Sequence, residues 1–166
     1  MSHWPEVAVE EGLDLPDEID RDAREFVERV LEAVFAQEKR RLALSVYLCG
    51  DAEIRRLHAE YLGDDTVTDV ISFRLQDDDA SDETARGGFE FADGELVVDV
   101  EHAARQANDH GNAWEAECAL YVVHGALHLF GYDDHEAHEL VRMKTAERAV
   151  LARLAYEISG RFDITT

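Results

Sequence analysis

The chain has 166 residues, 46% of them hydrophobic, a length that suits one domain over residues 1–166 and a core that needs no disulfide reinforcement. Sixteen Lys and Arg stand against 38 Asp and Glu; the formal charge of −22 excludes a general nucleic-acid-binding surface and favours cations, basic proteins or a salty medium. Cys49 and Cys118 are too few and too far apart for a disulfide framework or a cysteine zinc site, and without a basic leader or an apolar run of membrane-spanning length the expected location is cytoplasmic, with no membrane contact.

Residues 7–9 read as a short strand. Pro16 and Asp17 then open a helical pattern with Ile19, Phe26, Val27, Val30, Leu31 and Val34 on one side. The basic run Lys39-Arg40-Arg41 follows that helix, where cations complement its C-terminal dipole. Residues 42–48 alternate as LALSVYL and predict a strand, closed by Gly50 and by Asp51 as N-cap of a helix that contains Ile54, Leu57 and Tyr61. Residues 70–73 predict another short strand, and residues 76–86, rich in Asp, Ser and Glu, predict an acidic loop.

A further strand is expected at residues 95–100, followed by a helix from Glu101 that stops near His110-Gly111. Asn112 is the expected cap of the next helix, residues 113–130. Its apolar residues Cys118, Leu120, Tyr121, Val123, Leu127 and Leu129 nearly surround it, which predicts a central, buried helix. A last amphipathic helix carries Leu140, Met143, Val150, Leu151 and Leu154. Strands interleaved with helices predict a mixed sheet in an α/β or α+β arrangement.

Residues 124–134 read HGALHLFGYDD. Four residues of an α-helix turn through roughly 400°, so His124 and His128 project from one face and can share an ion. Gly131 can take the left-handed conformation that ends a helix and turns the chain back, bringing Asp133, Asp134 and His135 toward the same point. The spacing His-x3-His-x2-Gly-x2-ligand occurs in a large class of zinc hydrolases. Imidazole and carboxylate are ordinary zinc ligands, so one Zn2+ per chain is expected, with other divalent ions compatible with the same donors. Zinc peptidases of the His-Glu-x-x-His type place their general base beside the first histidine; that position is Gly125 here, which disfavours peptidase chemistry.

From about Leu42 to Leu154 these residues resemble the YbeY family of rRNA maturation endoribonucleases, whose usual signature is HGxLHLxGYDH. The TDVISF stretch at residues 68–73 resembles that family's TDVLSF strand, GELVV at residues 94–98 its GDIVI strand, and Ala104 to Ala107 its helix ending in Gln-Ala. The resemblance implies a zinc-dependent, single-strand-directed endoribonuclease acting in 16S rRNA 3′-end maturation and ribosome quality control. It also implies an α+β fold in which a small mixed sheet packs against helices and a central helix carries the metal ligands.

Two positions depart from that pattern. The family's third histidine aligns with Asp134, and His135 sits one place later; spacing favours Asp134, with His135 as the alternative third ligand. Leu62 stands where many members have an arginine suited to clamping a phosphate, and Arg74 and Arg86 are the nearby cations that could replace it. Asp69 and Asp133 are the candidate catalytic proton acceptors, each with a structural alternative: orienting the strand for Asp69, holding the turn for Asp133. The expected partners are an rRNA substrate and ribosomal or ribosome-assembly proteins with basic surfaces. The rival expectation is a metal-stabilised ribosome-assembly factor that binds basic ribosomal proteins with weak or no catalysis.

Overall fold

Side chains that alternate along a strand face opposite sides of its sheet, and here that alternation sorts the interior into two layers. The computed structural model describes residues 4–62, 70–74 and 92–159. Strands β1 (Glu6–Val9), β2 (Leu44–Cys49), β3 (Val70–Arg74) and β4 (Gly94–Asp99) form one sheet in the order β1-β2-β4-β3. β1, β2 and β4 run parallel, and β3 is antiparallel to β4. Leu44, Val46 and Leu48 of β2 and Leu96 and Val98 of β4 face the main core, whereas Cys49, Ile71 and Val97 face a smaller cluster with Ile54.

Six helices complete the α+β fold: α1 (Asp17–Arg21), α2 (Ala23–Glu38), α3 (Asp51–Leu62), α4 (Val100–His110), α5 (Trp114–Leu129) and α6 (Ala137–Arg153). α5 is the central helix the sequence predicts. It packs against α2, α4, α6, β3 and β4, and twelve of its sixteen residues are buried. Each large apolar side chain so covered contributes roughly 1.5–3 kcal/mol, which makes α5 a rigid carrier for whatever its few polar residues hold. α3 covers the other sheet face through Ile54 and Leu57. No helix among the described residues is long and apolar enough to cross a membrane.

Three local expectations change. The single helix expected after Pro16 is two, because Asp22 takes extended backbone and its side chain accepts the Glu25 N–H (3.0 Å), capping α2. Asp51 does not cap α3; it is the helix's first residue, its N–H donates to Glu101 Oε1 (2.7 Å), and its carboxylate takes Arg105. Asn112 does not cap α5 either. Its amide donates to Glu117 Oε1 (2.9 Å) and the Ser159 carbonyl (3.1 Å), and its Oδ1 accepts the Ser159 N–H (2.8 Å), so it ties α5 to the chain after α6. The acidic stretch at residues 76–86 lies outside the described residues.

Both cysteines are buried free thiols, and burial pushes both upward in pKa. Arg41 of the basic run forks onto Glu32 of α2, and Arg40 lies over the Phe130 ring. Those two cations are thus engaged by α2 and by the end of α5.

At Gly125, α5 lies close against the sheet. A Cβ there would stand 2.9 Å from Val70 Cγ2, 3.0 Å from Leu96 Cδ2 and 3.2 Å from Ser72 Oγ, while the Ser72 hydroxyl donates to the Gly125 carbonyl (3.0 Å). A glutamate at this position would enter the sheet rather than a catalytic site, which gives the missing peptidase base a packing cause. Gly125→Ala gains helix propensity, worth about 1 kcal/mol. It also crowds the Val70, Leu96 and Ser72 side chains of β3 and β4. Overpacking of this kind costs about 1–3 kcal/mol, so a net loss of stability is expected, measured as a lower denaturation midpoint with unchanged m-value. A midpoint equal to or above that of the unmodified chain would contradict the tight fit.

Candidate metal centre

His124 and His128 lie one turn apart on α5, and their imidazoles meet edge to face with Nε2 atoms 3.1 Å apart. Each ring is held from behind. His124 Nδ1 lies 2.5 Å from Glu147 Oε2, and His128 Nδ1 lies 3.0 Å from the Tyr132 carbonyl oxygen. A carbonyl and a carboxylate can only accept, so Nδ1 of each ring carries the hydrogen. In the neutral rings Nε2 is then a lone pair, and the two lone pairs are aimed at one place. That arrangement is relieved when the two nitrogens share a proton or a metal ion.

The turn after α5 completes the geometry. Gly131 adopts φ 102°, its N–H donates to the His128 carbonyl (3.0 Å), and the Tyr132 N–H reaches back to the Leu127 carbonyl (3.0 Å). These are the two bonds of a Schellman ending. The same reversal delivers the Tyr132 carbonyl to His128 and brings Asp134 Oδ2 to 3.8 Å from His124 Nε2 and 3.9 Å from His128 Nε2. His124, His128 and Asp134 form a group whose donor atoms all lie within 4.8 Å of one another. Two imidazoles and one carboxylate are a zinc-type donor set.

The other sequence-derived residues fall in different places. His135 is exposed and turns to Asp133, with Nε2 3.2 Å from Oδ1, and does not join the two histidines. Asp133 Oδ1 also accepts the Asp134 N–H (2.7 Å), which holds the turn. Asp69 and Arg86 lie outside the described residues, and α3 ends at Leu62. Arg74 Nη2 donates to the Leu129 carbonyl (3.2 Å), so this cation serves the C-terminal end of α5.

Glu147 is a residue that reading the sequence for ligands misses. It sits on α6, 23 residues beyond His124, fully buried beside Met143, Val150 and Leu151 of the same helix. A carboxylate in the middle of an apolar stripe is the available signal, since charged side chains are almost never fully buried unless paired. It stands where a carboxylate stands behind a metal-ligating histidine, a position from which it can fix the tautomer and raise the basicity of the ring.

The family model described as Endoribonuclease YbeY matches residues 13–155, which includes every element from α1 to α6. The chain belongs to the YbeY family. Among curated relatives, an Endoribonuclease YbeY of Carboxydothermus hydrogenoformans is 33% identical over 149 residues, 89% of this chain and 98% of the relative. One from Desulfitobacterium hafniense is 35% identical over 117 residues, 70% of this chain and 74% of its own. A solution structure of a Thermotoga maritima protein shares the fold, with TM-score 0.56 at 22% identity over 90% of this chain and 91% of that one. The family assignment thus agrees with the resemblance carried by HGALHLFGYDD, and in this YbeY-family chain the two signature histidines are the pair that converges on Asp134.

Proposed function

We propose that the chain is a metal-dependent endoribonuclease that cleaves single-stranded RNA in 16S rRNA 3′-end maturation and ribosome quality control in the cytoplasm, with Zn2+ held by His124, His128 and Asp134. The observation that carries this reading is the pair of imidazole Nε2 atoms 3.1 Å apart, each ring pinned through its Nδ1 hydrogen and both facing a carboxylate. The curated relatives are named endoribonucleases, which supports the reaction class. When bound, such an ion lowers the pKa of water and polarises a phosphoryl oxygen. Three protein ligands suit a catalytic centre, which keeps a position for water.

The chain's own residues do the rest. Glu147 and the Tyr132 carbonyl orient the two rings, and Asp134 adds one negative charge that partly offsets the cation. Asp133 stands beside Asp134 in the turn, where a carboxylate can accept a proton from water; Asp69 is the second proposed acceptor. Dialysis against a chelator should abolish cleavage of single-stranded RNA, and Zn2+ should restore it. Undiminished cleavage by metal-free protein would contradict the reading.

The −22 charge favours recognition through a basic ribosomal protein over direct capture of RNA, because few cations are available to release phosphate counterions. The same charge, with Leu62 at the arginine position, favours the rival assembly-factor reading. A metal-loaded protein that binds basic ribosomal proteins and leaves RNA intact on ribosomal particles would select the rival.

A further inference from the structure

On the face of the sheet opposite α5, α3 packs through Ile54 and Leu57 against Cys49, Ile71 and Val97. Toward the start of β4 the register sets Phe73 of β3 against Glu95, and Tyr47 of β2 against Val97. These four side chains, with Leu57 and Tyr61 of α3, line a cavity of about 310 Å3. That volume is at the low end for ligand pockets and suits a single side chain of a partner.

Glu95 is the one charged residue of this lining, set among three aromatic rings and two aliphatic side chains. It is partly buried, burial alone raises its pKa, and among the described residues none gives its carboxylate a hydrogen bond or an ion pair. The polar groups around it are engaged elsewhere. The Tyr47 hydroxyl donates to Glu53 Oε2 (3.1 Å), and Arg56 of α3 takes Glu53 and Glu60. Arg74, next to Phe73 on β3, serves the Leu129 carbonyl on the other face of the sheet. A carboxylate partly withdrawn from water is costly unless a positive group joins it.

The rings decide which cation. Tyr61 is 62% exposed and meets Phe73 edge to face, with centroids 5.9 Å apart. A guanidinium can lie flat on a ring face while its N–H groups fork onto a carboxylate. An ammonium is more strongly hydrated and lacks the fork. A metal ion is disfavoured because one carboxylate is too few oxygen donors. RNA would bring phosphates to a chain of charge −22. We propose that this cavity receives an arginine side chain of a basic protein partner, with Glu95 as counter-ion and Tyr61 and Phe73 as walls. The inference rests on the basic-partner reading above and gives that partner a point of attachment, on the sheet face opposite the helix that carries the histidines.

The test is titration of the full chain with the peptide acetyl-Gly-Gly-Arg-Gly-Gly-amide, followed by NMR of the aromatic ring protons. Salt of about 0.15 M screens charges beyond about 8 Å, and the same peptide with lysine controls for long-range attraction. The arginine peptide should shift the rings of Tyr47, Tyr61 and Phe73 and bind more tightly than the lysine peptide. Glu95→Gln should weaken it ~10-fold, the low end for a hydrogen bond to a charged group. Tyr61→Leu, at an exposed ring, should weaken it about 3-fold and covers the case of an unfolded Glu95 variant. Equal affinity for the two peptides would overturn the proposal. So would an arginine affinity untouched by both substitutions, or ring shifts caused by a single-stranded oligoribonucleotide and not by the peptide. Purified ribosomal proteins, titrated against the same three chains, separate this inference from the reading beneath it. Binding weakened in both variants supports the site. Binding kept by both overturns the site and leaves the basic-partner reading standing, and no binding by the unmodified chain overturns both.

Discussion

Replacing Glu147 with glutamine should lower Zn2+ affinity about 10-fold, and replacing it with alanine about 100-fold, the span observed when the partner behind a metal-bound histidine is changed. Glutamine keeps an acceptor oxygen for the His124 Nδ1 hydrogen but lacks the charge that makes the ring more basic. Alanine removes both and leaves a polar hole in the core between α5 and α6. Competition against a chelator of known affinity measures the effect. Equal affinity in all three proteins would mean that Glu147 is only a buried packing element. RNA cleavage at saturating Zn2+ should recover more completely in the glutamine variant than in the alanine variant, because only the former can still hold the ring.

Asp134→Asn should weaken metal binding far more than His135→Gln, by roughly 10- to 100-fold on the same scale. The geometry behind this is a distance contrast: Asp134 Oδ2 stands 3.8 and 3.9 Å from the two histidine Nε2 atoms, while His135 is exposed and turned to Asp133. Asparagine keeps the size and one oxygen but loses the negative charge. If His135→Gln costs more, the turn after Gly131 rearranges on metal binding and hands the third position to the histidine.

The candidate metal centre is more legible in the sequence than its support. Helical geometry places His124 and His128 on one face, and Gly131 takes the positive φ that its lack of a side chain suggests, so the third donor could be narrowed to two neighbours. What spacing does not give is the partner from a distant element. Glu147 lies on another helix, and only its position within an apolar stripe marks it. The helix split at Asp22 is legible in principle, because Asp22-x-x-Glu25 is a capping signal, but Ile19, Ala23, Phe26, Val27 and Val30 keep helical spacing across it and so read as one helix. Asn112 and Asp51 resemble N-caps by type and place, yet each is taken by a partner far along the chain, Ser159 and Arg105. Local chemistry proposes a cap; tertiary contacts decide its use. That position 125 lacks a side chain is plain from the sequence; that a side chain there would meet Val70 and Leu96 needs the fold.

The most direct measurement is metal content and single-stranded RNA cleavage on the same preparations of the unmodified chain and of a His124→Ala, His128→Ala variant that retains its helical spectrum. One zinc-type ion per chain and metal-dependent cleavage are expected in the first, and neither in the second. A variant that keeps its ion or continues to cleave RNA would contradict it.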